Sequence, residues 1–592
     1  MNVNSMSTGM PVQPDNPTDS ERRFLGQYAL WLRGRPEDFD FVTNLMLPPP
    51  DITSIAAPGS FRGIQVGIVG GGLAGLSAAY ELRKLGFDIT IFEALEDRIG
   101  GRVYTYYFDR ERKLYGEFGP MRIPVTHETV WHYINLFKLP TRTFIQVNSN
   151  AVIHLRDVSV RNDPEGRNVQ RYIYPEFDLN EWEKRTKWQD LVYRGLDRHL
   201  LEADPWVRSE ILQVRPYYHP EILYWDSRNS RQMLESSRLS QDAINLVSDL
   251  TPLPGENLYS SYIDYIQESY SADLSFLYEI PGGLVKLPMA FYKSFMEQSH
   301  KDSYPDIPGQ LLGKVAWKGG SRVTGISFNS DQEKVGIEYR NSHQRGALYE
   351  QFDYVICAIP FSTLRNIAVN PLFSHTKMQA IKEVNYIPAQ KTCILFRNRF
   401  WEEGRPEEQI IGGGSYTDLP LTSIWYPSDH AAHCSGNIRC IPGSMPYHSL
   451  HIPEDKSAGL SKERGVLIAS YNFNLDTTRL ANLPEGVRLN EIKRELEKVH
   501  CLPKGYLDTL VLDFKTVNWN TETWFRGALC FFTPEQKRIF SYAIAQPEYN
   551  NRVFFAGEHI SAKHRWMQGA LKSGMEAANA VALTCRKANS SN

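Results

Sequence analysis

An α/β fold built on a doubly wound parallel sheet is predicted by three stretches of this sequence. Residues 64–69 form a short apolar run, as a buried parallel strand requires. Glycines follow at once, and then Leu73, Leu76, Ala79, Tyr80, Leu82 and Leu85 recur at helical spacing. Gly86 stands where a helix commonly ends, and residues 88–92 read as a second strand. Strand, helix and strand in that order make a βαβ unit.

The other elements follow along the chain. Residues 1–61 precede the first strong strand and contain Pro48, Pro49 and Pro50. They predict an N-terminal arm that runs over the surface of another domain or a neighbouring subunit. Residues 181–283 are rich in helix formers with long side chains and predict a helical domain. A helix is predicted over 284–296, and strands over 323–328 and 354–359. A strand-rich region spans 390–530, and its Pro- and His-rich stretch 428–464 predicts a surface loop or lid. Residues 553–556 predict a last buried strand, leading through Gly557 and Glu558 into a helix over 567–584. The tail from Arg586 to Asn592 is polar and predicts a frayed end.

The sheet is thus assembled from 62–102, 284–380 and 540–592. Residues 103–180 and 381–539 are left to build a strand-rich substrate-binding domain, and a substrate site would form where the domains meet.

Composition narrows the function. A chain of 592 residues needs several cores. The net charge of −3, with Lys and Arg spread along the chain, argues against a nucleic-acid partner. No run of about 18 apolar residues occurs, so no membrane span is predicted. The polar N-terminus has no apolar signal core, which predicts a cytoplasmic protein. Seven cysteines at irregular spacing suit reduced thiols rather than a disulfide framework or a metal site.

Residues 70–75 spell G-x-G-x-x-G between a strand and a helix. Gly70 permits the tight turn, Gly72 lets the backbone approach a pyrophosphate at the helix N-terminus, and Gly75 lets helix and strand pack closely. Glu93 ends the second strand, where an acid hydrogen-bonds the ribose hydroxyls of an adenosine. The plainer readings are a tight packing turn and a solvated glutamate. A second glycine pair, Gly100 and Gly101, is followed by Arg102. It offers another close backbone approach and a cation for phosphate, which a simple NAD fold does not need.

These pieces, with residues 117–124, 282–288 and 555–559, resemble the flavin amine oxidase family and within it the L-amino acid oxidases. The resemblance runs from about residue 62 to 583. It implies a Rossmann-like FAD-binding domain. The residues it places at FAD are Gly70, Gly72, Leu73, Ala74, Gly75, Glu93, Ala94, Gly101, Arg102, Pro120, Met121, Arg122, Val323, Trp519, Gly557, Glu558, Trp566 and Met567. Some relatives attach flavin through a cysteine. Ala528 holds that position here, although Cys530 is close, so non-covalent FAD is implied.

The resemblance also implies a substrate site. Arg122 would fork onto the substrate carboxylate, a match of geometry and permanent charge; the alternative is a structural pair with Glu117. Lys391 would hold a water near flavin N5, against the alternative of a snorkelling surface lysine. Tyr471 would assist Arg122, Trp566 would wall the substrate against the flavin, and Leu529 would touch its side chain. The residue before that Trp is small in the relatives but is Arg565 here, whose side chain would point away or favour an acidic or polar substrate. Glu268 and Asp273 could recognise a basic side chain; the plain reading is that they are solvated.

The implied reaction is oxidation of an L-amino acid by oxygen to a 2-oxo acid, ammonia and hydrogen peroxide. A homodimer or higher homo-oligomer is implied by analogy. Three rivals stay open: a polyamine or monoamine oxidase, a decarboxylating amino acid 2-monooxygenase, and a silent FAD-containing scaffold.

Overall fold

The computed structural model describes residues 11–251, 255, 257–296, 303–441 and 443–591. Half of the polar N-terminus, residues 1–10, lies outside the described residues, as do Pro442 and Asn592.

The central sheet has five parallel strands, in the order Val315–Lys318, Asp88–Phe92, Gln65–Val69, Tyr354–Cys357 and Val553–Phe555. Its middle strand, Gln65–Val69, is buried at every residue but the first. One face is covered by the helices Leu73–Lys84 and Met567–Ser591. They touch where a Cβ on Gly574 would lie 2.2 Å from the Ala74 carbonyl oxygen. The other face is closed by a four-stranded sheet, Leu348–Phe352, Lys334–Asn341, Ser321–Asn329 and Ala368–Asn370. Gly67 faces this second sheet, and a Cβ there would sit 2.8 Å from Ile337 Cδ1. The fold is therefore α/β, with one helical and one sheet-covered face.

A separate seven-stranded sheet runs in the order Val511–Asn518, Ala389–Phe396, Gly465–Phe473, Ser423–Trp425, Gly414–Thr417, Val152–Leu155 and Val158–Arg161. All eight residues of Ala389–Phe396 are buried. Helices such as Trp188–Val192, Gln241–Leu250 and Tyr262–Tyr270 fill most of the segment 181–283, which ends in the strand Leu277–Glu279.

Three local expectations change. The N-terminal arm is part of the core: Leu25, Ala29 and Leu30 of the helix Asp19–Leu32 are fully buried. Arg35 clamps it by donating to the Tyr270 carbonyl (3.1 Å) and the Ser269 carbonyl (2.5 Å) at the end of Tyr262–Tyr270, where a cation is favoured. Next, the 428–464 stretch holds the antiparallel strands Ser435–Arg439 and Tyr447–His451, and the second of these also pairs with Val147–Asn148. Pro446 and Pro453 bracket Tyr447–His451 without entering it, so the prolines that suggested a loop mark the ends of a strand. Finally, the last helix continues to Ser591, through the tail that was expected to fray.

Candidate active site

The turn after Gln65–Val69 opens onto a cavity of about 1880 Å³ empty volume. Gly70, Gly72, Leu73 and Ala74 line its start, and Gly70 has a φ of +109°. Gly75 does not line it; a Cβ there would lie 2.0 Å from the Gly70 carbonyl oxygen, so its place is in helix–strand packing. Gly72 is different, since an added Cβ would meet only Gly101 Cα, at 4.0 Å. Its bare face is open to the cavity.

Glu93 ends its strand buried, and its carboxylate accepts from the Gly71 N–H (2.8 Å) and the Leu95 N–H (2.9 Å). Burial raises its pKa, and these donors oppose the rise. Ala94, Gly101 and Val323 line the cavity nearby. Arg102 pairs with Glu558 at 2.8 Å and donates to the Ala528 carbonyl at 2.9 Å. Burial pushes the Glu558 pKa up, but Arg102 and His564 outweigh it and hold the carboxyl below its usual range. Gly557, Trp519 and Met567 line the same cavity, and Trp519 is fixed by its Nε1–H donating to the Phe118 carbonyl (2.9 Å). Ala528 and Leu529 reach the wall, whereas Cys530 is fully buried and lines neither this cavity nor the next.

A second cavity, about 1670 Å³ in empty volume, lies against the first. Gly119, Pro120, Lys391, Tyr471, Leu529, Arg565 and Trp566 line both. Met121 and Arg122, expected at the nucleotide, line only the second, because the chain passes from one wall to the other at Pro120.

Arg122 Nη1 donates to Gln146 Oε1 at 2.6 Å, and its guanidinium lies 5.0 Å from the centre of the Trp425 ring. Burial lowers its pKa, while Tyr471 and Glu268 oppose the drop. Among the described residues it has no ion pair. Glu117 does not supply one. It accepts from Thr105 Oγ1 (2.9 Å) and the Leu284 N–H (2.6 Å), and burial pushes its pKa up to about 7.

Lys391 is 1% exposed, which rules out the snorkelling surface lysine. Its Nζ donates to the Gly119 carbonyl at 2.7 Å and lies 4.3 Å from the centre of the Tyr471 ring, its partner across the strands. Burial lowers its pKa to about 8.

Arg565 takes a φ of +70°, and its side chain is turned into the helix Tyr262–Tyr270. It donates to the Asp264 carbonyl (2.7 Å), lies 3.4 Å from Glu268 and packs its guanidinium over Phe531. Glu268 also accepts from Trp566 Nε1 at 2.9 Å, and Trp566 packs edge-on against His127 at 4.9 Å. Asp273 pairs with Lys563 (2.5 Å) and His127 (3.2 Å). The acids considered for a basic substrate are therefore neither solvated nor free. The loop 563–566 consumes both, because a buried carboxylate needs a partner.

Gln146, Tyr416 and Trp425 also line the second cavity and were not singled out from sequence. Gln146 lies between two short strands, and no motif marks it.

Comparison with known proteins agrees with this architecture. The sequence profile described as flavin containing amine oxidoreductase matches residues 73–582. An L-amino-acid oxidase of Pseudechis australis is 28% identical over 529 residues, covering 88% of this chain and 87% of its own. That of Daboia russelii is 29% identical over 524 residues, covering 87% and 88%. A solved putrescine oxidase with putrescine bound superposes with a TM-score of 0.61 at 18% identity, over 87% of this chain and 98% of its own. Cyclohexylamine oxidase from Brevibacterium oxydans gives 0.58 at 16%, over 88% and 99%. A strand–glycine–helix cavity joined to a second cavity, whose Arg122 guanidinium has no ion pair among the described residues, thus sits in a chain that belongs to the flavin-containing amine oxidoreductase family.

Proposed function

We propose that this flavin-dependent enzyme binds FAD non-covalently and oxidatively deaminates an L-amino acid. The observation that carries the substrate class is Arg122, a guanidinium on a cavity wall with no acid partner among the described residues. Such a group calls for an anion, and a carboxylate matches it bidentately. A simple amine offers none. The name L-amino-acid oxidase on the two relatives supports the same reading.

The residues of the first cavity suit FAD. The face that Gly72 leaves bare suits a pyrophosphate, Glu93 and Ala94 suit a ribose with Val323 by the adenine, and Arg102, Gly557 and Glu558 lie farther along. Trp519, Trp566 and Met567 would flank the ring end. Bound FAD would supply a hydride acceptor that oxygen can reoxidise.

The chain does the remaining work. Arg122, held by Gln146, and Tyr471 fix the carboxylate. Trp566, held by Glu268 and His127, walls the α-carbon in. Lys391, on the shared wall, orients water and holds or releases a proton near pH 8. Overall, an L-amino acid, oxygen and water give a 2-oxo acid, ammonia and hydrogen peroxide. A peroxide assay over amino acids and simple amines, with mass spectrometry of the product, tests the class. A 2-oxo acid is expected, and an amide or turnover of amines alone would refute it.

Cys530 lines neither cavity and burial raises its thiol pKa, so acid precipitation is expected to release all the flavin into the supernatant. Flavin left in the pellet would show a covalent link. The glycines separate by position. Gly75→Ala is expected to lower stability by about 1–3 kcal/mol through overpacking. Gly72→Ala should keep the melting temperature of the flavin-free protein and lose flavin on gel filtration. Equal melting temperatures for the two variants would contradict the assignment.

A further inference from the structure

The second cavity extends well beyond Arg122. Trp188, Tyr193, Tyr265, Trp425 and Tyr447 line it among aliphatic and polar residues, so aromatic rings recur along its wall. Besides Arg122, Glu268, Lys391 and Arg565, described above, that wall carries two more charged residues, Arg33 from the N-terminal arm and Asp197 from the helical segment. Arg33 Nε and Asp197 Oδ1 are both buried, and neither has a hydrogen-bond partner among the described residues. No ion pair joins them either. Tyr265 lines the same wall; burial raises its phenol pKa most, Asp197 and Glu268 raise it further, and the Ser269 hydroxyl and Arg33 oppose the rise.

The arm is held where Arg33 needs it. The Leu32 carbonyl accepts from the Gly443 N–H at 2.7 Å, and Arg35, two residues on, is clamped to the end of Tyr262–Tyr270. Both side chains are partly exposed, but one buried polar atom of each is left without a partner, which is costly unless a ligand satisfies it.

We propose that Arg33 and Asp197 form the end of the substrate cavity that reads the tip of the side chain, and that the preferred substrate is an L-amino acid with a hydroxylated aromatic ring. This rests on the reading of Arg122 as the carboxylate site. A phenol meets both demands at once: its oxygen accepts from Arg33 and its O–H donates to Asp197. Its ring fills the aromatic stretch between. An unsubstituted ring leaves both groups unsatisfied, and a cationic side chain meets Arg33 with like charge. A carboxamide could satisfy the pair but would leave the aromatic wall uncovered.

Two measurements on the flavin-loaded protein test this. Calorimetric titration compares 3-(4-hydroxyphenyl)propanoate with 3-phenylpropanoate, which carry the carboxylate and ring but have no amine to oxidise. Steady-state assays compare kcat/KM for L-tyrosine and L-phenylalanine. The hydroxylated member is expected to win by at least about tenfold in each, since rejecting a ligand that leaves buried polar groups unpaired is efficient. In Asp197→Asn and Arg33→Ala the ratio should fall to within about threefold. Flavin content and melting temperature report folding, and the isosteric Asp197→Asn still decides the question if Arg33→Ala does not fold. A wild-type ratio at or below one, a preference for L-glutamine, or ratios unchanged in folded variants would overturn the subsite. Selective binding of the hydroxylated acid without turnover of any amino acid would leave the subsite standing and remove the oxidase reading alone.

Discussion

Arg122→Ala is expected to lower kcat/KM for the best amino acid by about a thousandfold, mostly through a higher KM. Removing one partner of a desolvated, hydrogen-bonded charge pair typically costs about 2–5 kcal/mol, and each 1.36 kcal/mol is tenfold in rate. The carboxylate is held in both ground and transition states, so the loss is largely uniform binding and appears in KM. A smaller fall in kcat follows from poorer alignment of the α-carbon. The fold should tolerate the change. The side chain makes no ion pair among the described residues, and its Gln146 bond and Trp425 contact contribute about 1 kcal/mol each. Steady-state kinetics beside a thermal melt checks both halves. Unchanged KM in a folded variant would contradict the carboxylate role.

Lys391→Met is expected to slow one half-reaction by about 10²–10³-fold with flavin still bound, as loss of a positioned proton donor or water holder does. Rapid-mixing experiments with substrate and then with oxygen identify which half. The same variant should be more stable at neutral pH. Burial lowers the Lys391 pKa from 10.5 to about 8, so at pH 7 the folded protein carries a charge that the unfolded chain solvates better. The folded-state value lies below the unfolded one. Between about pH 8 and 10.5 the unfolded chain therefore binds the proton that the folded chain has released, and the wild type gains stability as pH rises through this window. Methionine has no such slope. After the lost bond to the Gly119 carbonyl is counted, the variant should lead by about 1–3 kcal/mol at pH 7 and lose that lead near pH 10. A variant less stable than wild type at pH 7 would show that the charge is compensated.

Local signals made the α/β class legible. The apolar run before Gly70, the helical spacing from Leu73 and the acid at Glu93 lie within thirty residues of one another, and each has a mechanical reason. The residues at the junction of the two cavities were legible only through resemblance. Lys391 and Tyr471 come from adjacent strands far apart in sequence, and nothing local distinguishes them from ordinary strand residues. Gln146, Arg33 and Asp197 were not legible at all, because their significance lies in what does or does not touch them. Glu268 and Asp273 looked solvated for the same reason: their partners at 563–566 lie about three hundred residues away. The 428–464 stretch misled because prolines that bracket a strand and prolines that break one look alike in a sequence.

The central claim is that a guanidinium selects substrates by their carboxylate. Anaerobic mixing of the flavin-loaded enzyme with its best amino acid, and separately with the amine left when that carboxylate is removed, tests it most directly. Rapid bleaching of the flavin by the amino acid and none by the amine, with Arg122→Ala losing the distinction, is the predicted result. Equal bleaching by the two compounds would contradict it.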